Sequence, residues 1–335
     1  MDLDILLIWI IIGFLLTLNR IYTTSYRYII EKLIGLGIVI WMSCINIKYG
    51  LALSVFYLSY LIHNNGYSVN EGMGNENIYS YITKNNVYYN NIIQENVPTN
   101  QTIPLDVYQT WHSKHLPPYM EKCVNKMKKE NPEFKFHLYD DNDCREFIQQ
   151  NYDSDVLYAF DKLAPGAYKA DLWRYCILYK KGGIYLDIKY QCANNFKLIQ
   201  LTNKEYFVLE RPGFWEPNTY GIYNAFIVCK PYNPYLDKCI KQIVKNVKNN
   251  YYGYNPLYPT GPGLFGNIFF GDFSKNYEKV KDFNLFYGMS GKDEIIYKNT
   301  LIFNSYPEYR NEQKINSNNK HYQVLWLQRN IYNNI

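Results

Sequence analysis

Two acidic and two basic residues within one short stretch of chain carry most of the chemistry legible in this sequence. Asp171 and Arg174 lie three residues apart in Ala167-Tyr-Lys-Ala-Asp171-Leu-Trp-Arg174-Tyr-Cys-Ile-Leu-Tyr-Lys-Lys181. That run suits a helix, so the two side chains share one face. Gly182 supplies the left-handed residue that ends the helix, and Lys180 and Lys181 suit the negative end of its dipole. Gly183 leads into Ile184 to Ile188, a short buried strand. There Ile184, Leu186 and Ile188 face one way, and Tyr185, Asp187 and Lys189 the other. Asp187 therefore emerges at the C-terminal end of a central strand, where open α/β sheets bind ligands. Taken singly, Asp171 and Arg174 read equally well as a surface ion pair worth roughly a few tenths of a kcal/mol, and Asp187 as a strand-end turn residue. Their joint presence in one string favours a site. No side chain stands out as a nucleophile, so the chemistry expected here is positioning and electrostatics.

The elements that must hold these residues begin near Ile103. Leu105 to Thr110 reads as a strand, Pro118 to Glu130 as a polar helix, and Phe134 to Tyr139 as a second strand with alternating faces. Asp140-Asp141-Asn142-Asp143 offers N-caps for a helix through Gln150. This β-α-β-α order predicts an α/β domain over 103–335 with a mainly parallel sheet. Upstream, Ile5 to Leu18 is apolar and uncharged but only 14 residues long, short of the ~20 that span a bilayer as a helix. Asp2 and Asp4 give it an acidic start, unlike a signal peptide. Leu33 to Ile62 is a second apolar stretch, interrupted by a charge only at Lys48. Residues 1–62 thus read as a membrane anchor of two spans, or alternatively as an apolar helical pair packed on the soluble domain. Arg20, Arg27 and Lys32 lie in the intervening loop and place it in the cytoplasm, which puts the remainder of the chain on the lumenal or exterior side. Residues 63–102, rich in Asn, Tyr, Gly and Ser, read as a stem or linker. It ends on the glycosylation sequon Asn100-Gln101-Thr102, meaningful on the lumenal side.

Charged residues make up 19% of the 335, which fits partial membrane residence. The net charge of +5 comes from Lys and Arg scattered along the chain, which argues against a nucleic-acid partner. The 37 tyrosines accompany plentiful Asn, Ile and Lys, all with A/T-rich codons, so genome composition accounts for most of them. Seven cysteines show no CxxC pair and no metal-ligand spacing, so they form no disulfide framework. One bridge involving Cys123 or Cys144 stays open.

The helix-Gly-Gly-strand string resembles the signature of glycosyltransferase family 32, the group with a DXD-containing sugar-binding region. That group includes the fungal initiating mannosyltransferases and is distantly similar to glucosylating bacterial toxins. The resemblance runs from about Ile103 to Asn330, in the expected order. Pro104-Leu-Asp-Val-Tyr-Gln109-Thr110-Trp111 resembles the opening strand, and Asn131-Pro-Glu-Phe-Lys-Phe-His-Leu-Tyr-Asp140-Asp the second strand with its turn. Asn224-Ala225-Phe226, with Pro231-Tyr-Asn-Pro234, resembles the segment after the motif. Thr260-Gly261-Pro262, and His321-Tyr322 with Trp326, resemble the closing elements.

The resemblance implies a GT-A-like, Rossmann-type fold that binds a nucleotide-sugar donor and transfers the sugar with retention to a glycan, protein or lipid acceptor. It puts Gln109, Thr110 and Trp111 near the nucleotide, with Trp111 as a base-stacking platform or, alternatively, a core residue. Asp171 and Arg174 would hold the sugar hydroxyls. Tyr185 and Asp187 would line the donor site, with Asp187 addressing the ribose or a metal. His321 and Trp326 would approach the diphosphate, and His321 would join Asp187 as a metal ligand. One departure matters: the motif's second acidic residue is Lys189 here. Carboxylate oxygens suit Mn2+ or Mg2+, whereas an ammonium ligates neither, so metal dependence is expected to be weakened. Lys189 would then act as a point charge on phosphate. The rival readings are a membrane-tethered sugar-binding or scaffolding protein with a degenerate site, and hydrolysis of the donor without transfer.

Overall fold

The computed structural model describes residues 98, 100–211, 215, 219–271, 283–288, 293–316 and 320–334. The expected anchor over 1–62 and nearly all of the stem lie outside the described residues. Among the described residues, no helix is long and apolar enough to cross a membrane.

The chain runs β1 (Asp106–Thr110), α1 (Pro118–Glu130), β2 (Lys135–Tyr139), α2 (Asp141–Asn151), α3 (Ser154–Lys162) and α4 (Gly166–Lys181). Next come β3 (Gly183–Leu186), β4 (Tyr190–Cys192), a 3-10 turn (Leu198–Leu201), β5 (Tyr206–Leu209) and β6 (Ile222–Cys229). It continues through α5 (Pro234–Lys248), α6 (Pro262–Phe270), β7 (Leu285–Tyr287), β8 (Glu294–Tyr297), β9 (Thr300–Ser305), α7 (Tyr309–Asn316) and α8 (Tyr322–Leu327). Local chemistry starts most of these helices. Asp140 and Asp143 cap α2 reciprocally, side chain to backbone, Asp153 caps α3, and Asn233 followed by Pro234 starts α5.

The nine strands form one sheet in the order β2-β1-β3-β6-β5-β7-β8-β9-β4. Only the β2-β1-β3 wing and the β5–β7 pair are parallel. Every other neighbouring pair is antiparallel. The expectation of a mainly parallel sheet is therefore corrected to a mixed α/β sheet, with a local cause. Among the described residues, β8 turns directly into β9 through Lys298 and Asn299, both at positive φ (45° and 61°). That is the backbone of a tight hairpin turn.

The sheet must also curl. In the strand order, β3 and β4 stand six inter-strand steps apart, about 29 Å across a flat sheet. Along the chain only Asp187, Ile188 and Lys189 separate them, a link reaching at most about 15 Å. The sheet rolls until its middle and its far edge nearly meet, and aromatic residues fill the inside of the roll. Phe303 packs against Tyr190, Phe196 and Phe226, while Ile184, Leu186 and Val228 join the same cluster. The opposite face carries the helical layer, where Trp173, Tyr175, Ile177 and Leu178 of α4 are fully buried with Tyr185.

Two glycines make the α4–β3 junction possible. Gly182 has φ +65°, and a Cβ there would lie 2.6 Å from Pro231. Gly183 has φ +96°, and its Cβ would lie 2.6 Å from the Asp106 carbonyl oxygen on β1. Only a residue without a side chain lets β3 slot beside β1 immediately after the helix. The six cysteines among the described residues are all free, and five of them are buried.

Candidate functional site

α4 is buried over most of its length, so its two buried charged residues, Asp171 and Arg174, have nowhere to go but toward each other and toward the end of β3. Asp171 is 8% exposed and Arg174 6%, far from the surface ion pair that spacing alone allows. Arg174 Nη2 lies 3.4 Å from Asp171 Oδ1, and Arg174 Nη1 lies 3.7 Å from Asp187 Oδ1. The guanidinium also stacks over the Tyr185 ring at 4.3 Å, and the Tyr185 hydroxyl donates to Asp187 Oδ1 at 2.8 Å. Tyr185 is itself buried, so it acts by aiming Asp187 rather than by offering a surface.

Segments distant in sequence fix this trio. Asn224, at the start of β6, donates from its side-chain amide to Asp171 Oδ1 at 2.8 Å, and its backbone carbonyl accepts from Arg174 Nη1 at 2.8 Å. The Thr260 hydroxyl, just before α6, donates to Asp171 Oδ2 at 2.7 Å. A Cβ on Gly261 would come within 3.3 Å of that same oxygen. Burial pushes the Asp171 carboxyl above its usual range against the opposing pull of Arg174, Thr260 and Asn224.

From Asp187 the charges continue through Lys189. Its ammonium lies 3.4 Å from Asp187 Oδ2 and 3.7 Å from Asp293 Oδ1, over the rings of Tyr190, Tyr223 and Tyr309. Asp293 accepts from the Tyr287 hydroxyl and from Arg310 Nη2, each at 2.6 Å. Burial works to raise its pKa, but Lys189, the Tyr287 hydroxyl and Arg310 outweigh that and hold the carboxyl below its usual value. Arg211 stacks on Tyr287 at 4.1 Å and sits 3.8 Å from Glu210. Glu210 follows the end of β5 and is buried, which pushes its carboxyl up to about 7 despite Arg211 and Lys189. Asp293, Arg310, Tyr287 and Glu210 carry no local sequence signal, because the curl of the sheet brings them in from outside the string.

At the end of β1, Gln109 is buried and its side-chain amide nitrogen has no partner. The indole nitrogen of Trp111 is likewise buried and unpartnered. The Thr110 hydroxyl is committed to the Tyr139 carbonyl. Trp111 packs beside His112 at 4.8 Å and is half-buried.

The C-terminal elements arrive by way of α4. Tyr322 rests on Tyr168 at 5.9 Å, and Trp326 donates its indole N–H to the Tyr252 carbonyl at 2.7 Å. His321 is exposed and caps α8 by accepting from Gln323 N–H. No hydrogen bond or ion pair joins it to Asp187. Among the described residues, no group of three or more His, Cys, Asp or Glu side chains is arranged to hold a metal ion. The donor set around Asp187 does not fit a divalent cation either. The nearest charged neighbours of its carboxylate are the Arg174 guanidinium and the Lys189 ammonium, and neither can ligate.

Residues 117–208 match the family described as the glycosyltransferase sugar-binding region containing DXD motif. That stretch includes Asp171, Arg174, Asp187 and Lys189. Its relatives are glycosyltransferases. Inositol phosphoceramide mannosyltransferase 3 of Schizosaccharomyces pombe is 31% identical over 186 residues, 54% of this chain and 48% of that protein. The initiation-specific alpha-1,6-mannosyltransferase of Candida albicans is 33% identical over 91 residues, 25% of this chain and 24% of that protein. The alignments thus span about half or less of these relatives' length. Among solved structures, the PaToxG glycosyltransferase superposes with a TM-score of 0.41 at 17% identity, covering 63% of this chain and 79% of that one. The chain is distantly related to the fungal mannosyltransferases over part of its length, and the described domain is a mixed α/β fold.

Proposed function

We propose that this protein transfers a hexose from a nucleotide-sugar donor to a glycan, protein or lipid acceptor, with retention at the anomeric carbon. The observation that carries the reading is the buried contact chain Asp171–Arg174–Asp187 at the C-terminal rim of β3. Asp171 and Arg174 present a carboxylate and a guanidinium fixed by Asn224 and Thr260, an arrangement suited to sugar hydroxyls. Gln109 and Trp111, at the end of β1, are the residues we assign to the nucleotide side of the site. In the step itself the bond from C1 to the diphosphate oxygen breaks and the acceptor oxygen bonds to C1 on the same face. The acceptor's proton passes to the departing phosphate. With no nucleophile placed at the site, the protein's part is to hold the donor and to stabilise charge on the leaving diphosphate.

Several of the relatives are named as mannosyltransferases, so a nucleoside-diphosphate mannose is the first donor to test and an inositol-phosphate ceramide the first acceptor. The apolar runs upstream favour a membrane-anchored enzyme with a lumenal domain. The test is product formation from a panel of nucleotide sugars, with Asp187→Ala as control. Turnover should fall at least roughly 100-fold in the variant, the scale of losing one preorganised electrostatic contact. Donor binding without any turnover, for every acceptor class, would instead support a sugar-binding protein.

A further inference from the structure

The DXD description implies a divalent cation, and the residues present disagree with it at one position. Lys189 stands where the second motif carboxylate would be, and its ammonium lies between Asp187 and Asp293 at 3.4 and 3.7 Å. We infer that Lys189 is a built-in cation that takes the place of the divalent ion, so that this protein binds the donor's diphosphate without metal. The inference rests on the glycosyltransferase reading above.

The charges support it. A carboxylate plus a divalent ion sum to one positive charge, which is the charge of one ammonium. Exchanging the first pair for the second leaves the field at a bound diphosphate unchanged at the level of net charge. Removing the carboxylate without supplying a cation would not do so.

The surroundings are those of a held ion rather than a stray surface lysine. Lys189 is 8% exposed. Two carboxylates flank it, and three tyrosine rings lie within 5.2 to 5.8 Å of its nitrogen, a cage that favours a cation. Asp293 is in turn held by Tyr287 and Arg310 at 2.6 Å each. Both of Lys189's carboxylate distances exceed the ~2.8 Å of a charge-assisted hydrogen bond. The ammonium is thus held by charge while its donors remain available to an incoming phosphate oxygen. Glu210 adds a second adjustment. Arg174, Lys189, Arg211 and Arg310 balance Asp171, Asp187, Glu210 and Asp293, and a protonated Glu210 leaves this cluster one positive charge in excess.

The test is titration calorimetry of the full-length protein with GDP and UDP, in chelator and in millimolar manganese, for wild type, Lys189→Met and Lys189→Asp. The Met variant keeps the stem that packs on the tyrosines, so loss of binding there reports the charge rather than misfolding. Expected for wild type is the same Kd within about twofold in both buffers, and no uptake of manganese alone. Lys189→Met should bind roughly 100-fold more weakly in either buffer, the size of one lost electrostatic contact. Lys189→Asp should bind manganese alone and should bind the nucleotide only when manganese is present. Wild-type binding that collapses in chelator, or a Lys189→Met variant that binds normally, overturns the built-in cation and leaves the glycosyltransferase reading standing. Failure of the wild type to bind either nucleotide, or a sugar derivative of either, under both conditions overturns that reading and this inference with it.

Discussion

At the scale of single residues, the site is a chain of mostly buried charges whose members differ in how visible they are beforehand. Asp171, Arg174 and Asp187 sit in one string with a helix stop and a strand, so local periodicity alone brings them to one rim. Thr260 is the positioning residue with the sharpest test. Thr260→Val keeps the shape and removes the hydroxyl that donates to Asp171, and it should lower turnover by ~1.5–3 kcal/mol of barrier. Thr260→Ser should retain most of it, whereas a Thr260→Ser variant as impaired as Thr260→Val would point to packing instead. Glu210 gives a pH prediction. Its carboxyl is raised from 4.5 to about 7 in the folded state, so between those values the native protein holds more protons than the unfolded chain. The stability this group contributes is complete below about pH 4.5 and is lost as pH rises through 7. Glu210→Gln should remove that slope, leaving the variant about 2–3 kcal/mol less sensitive than wild type between pH 5 and pH 8 in urea unfolding. An unchanged slope would assign it to other groups. No local pattern points to Glu210, Asp293 or Arg310, because their chemistry exists only after strands far apart in sequence have been brought to the same rim.

At the scale of elements, helices were far more legible than sheet direction. Pro118–Glu130 matches its expected bounds, and α2 and α4 differ by one residue at an end, because caps, prolines and Gly182 mark helix ends locally. The sheet misled for an equally physical reason. A β-α-β-α opening extrapolates to parallel strands, but the later strands pair through hairpins such as Lys298-Asn299, whose composition lacks the usual Asn-Gly signal. The α4–β3 junction is the element most exposed to a single change. Gly183→Ala would force a side chain into φ +96° and against the β1 carbonyl of Asp106. It should cost at least ~2–3 kcal/mol in chemical denaturation, whereas Gly166→Ala, with open space at its Cβ, should be neutral or slightly stabilising.

At the scale of the whole molecule, the apolar runs over 1–62 predict that the full chain stays with the membrane fraction through alkaline carbonate extraction. Release of intact protein would defeat the anchor. The domain beyond them is governed by the curl of its sheet. Asp187, Ile188 and Lys189 form a short covalent strap across the seam where the middle of the sheet meets its far edge. On the inference drawn for Lys189, a diphosphate held at the Lys189 end of that strap would work like a clasp on a rolled page. It would oppose unrolling, and the effect would reach β4 and β9, strands with no part in gripping the sugar. Amide protons of Tyr190–Cys192 and Phe303–Ser305 should therefore exchange more slowly in the presence of nucleotide, by the factor through which ligand binding stabilises the closed form.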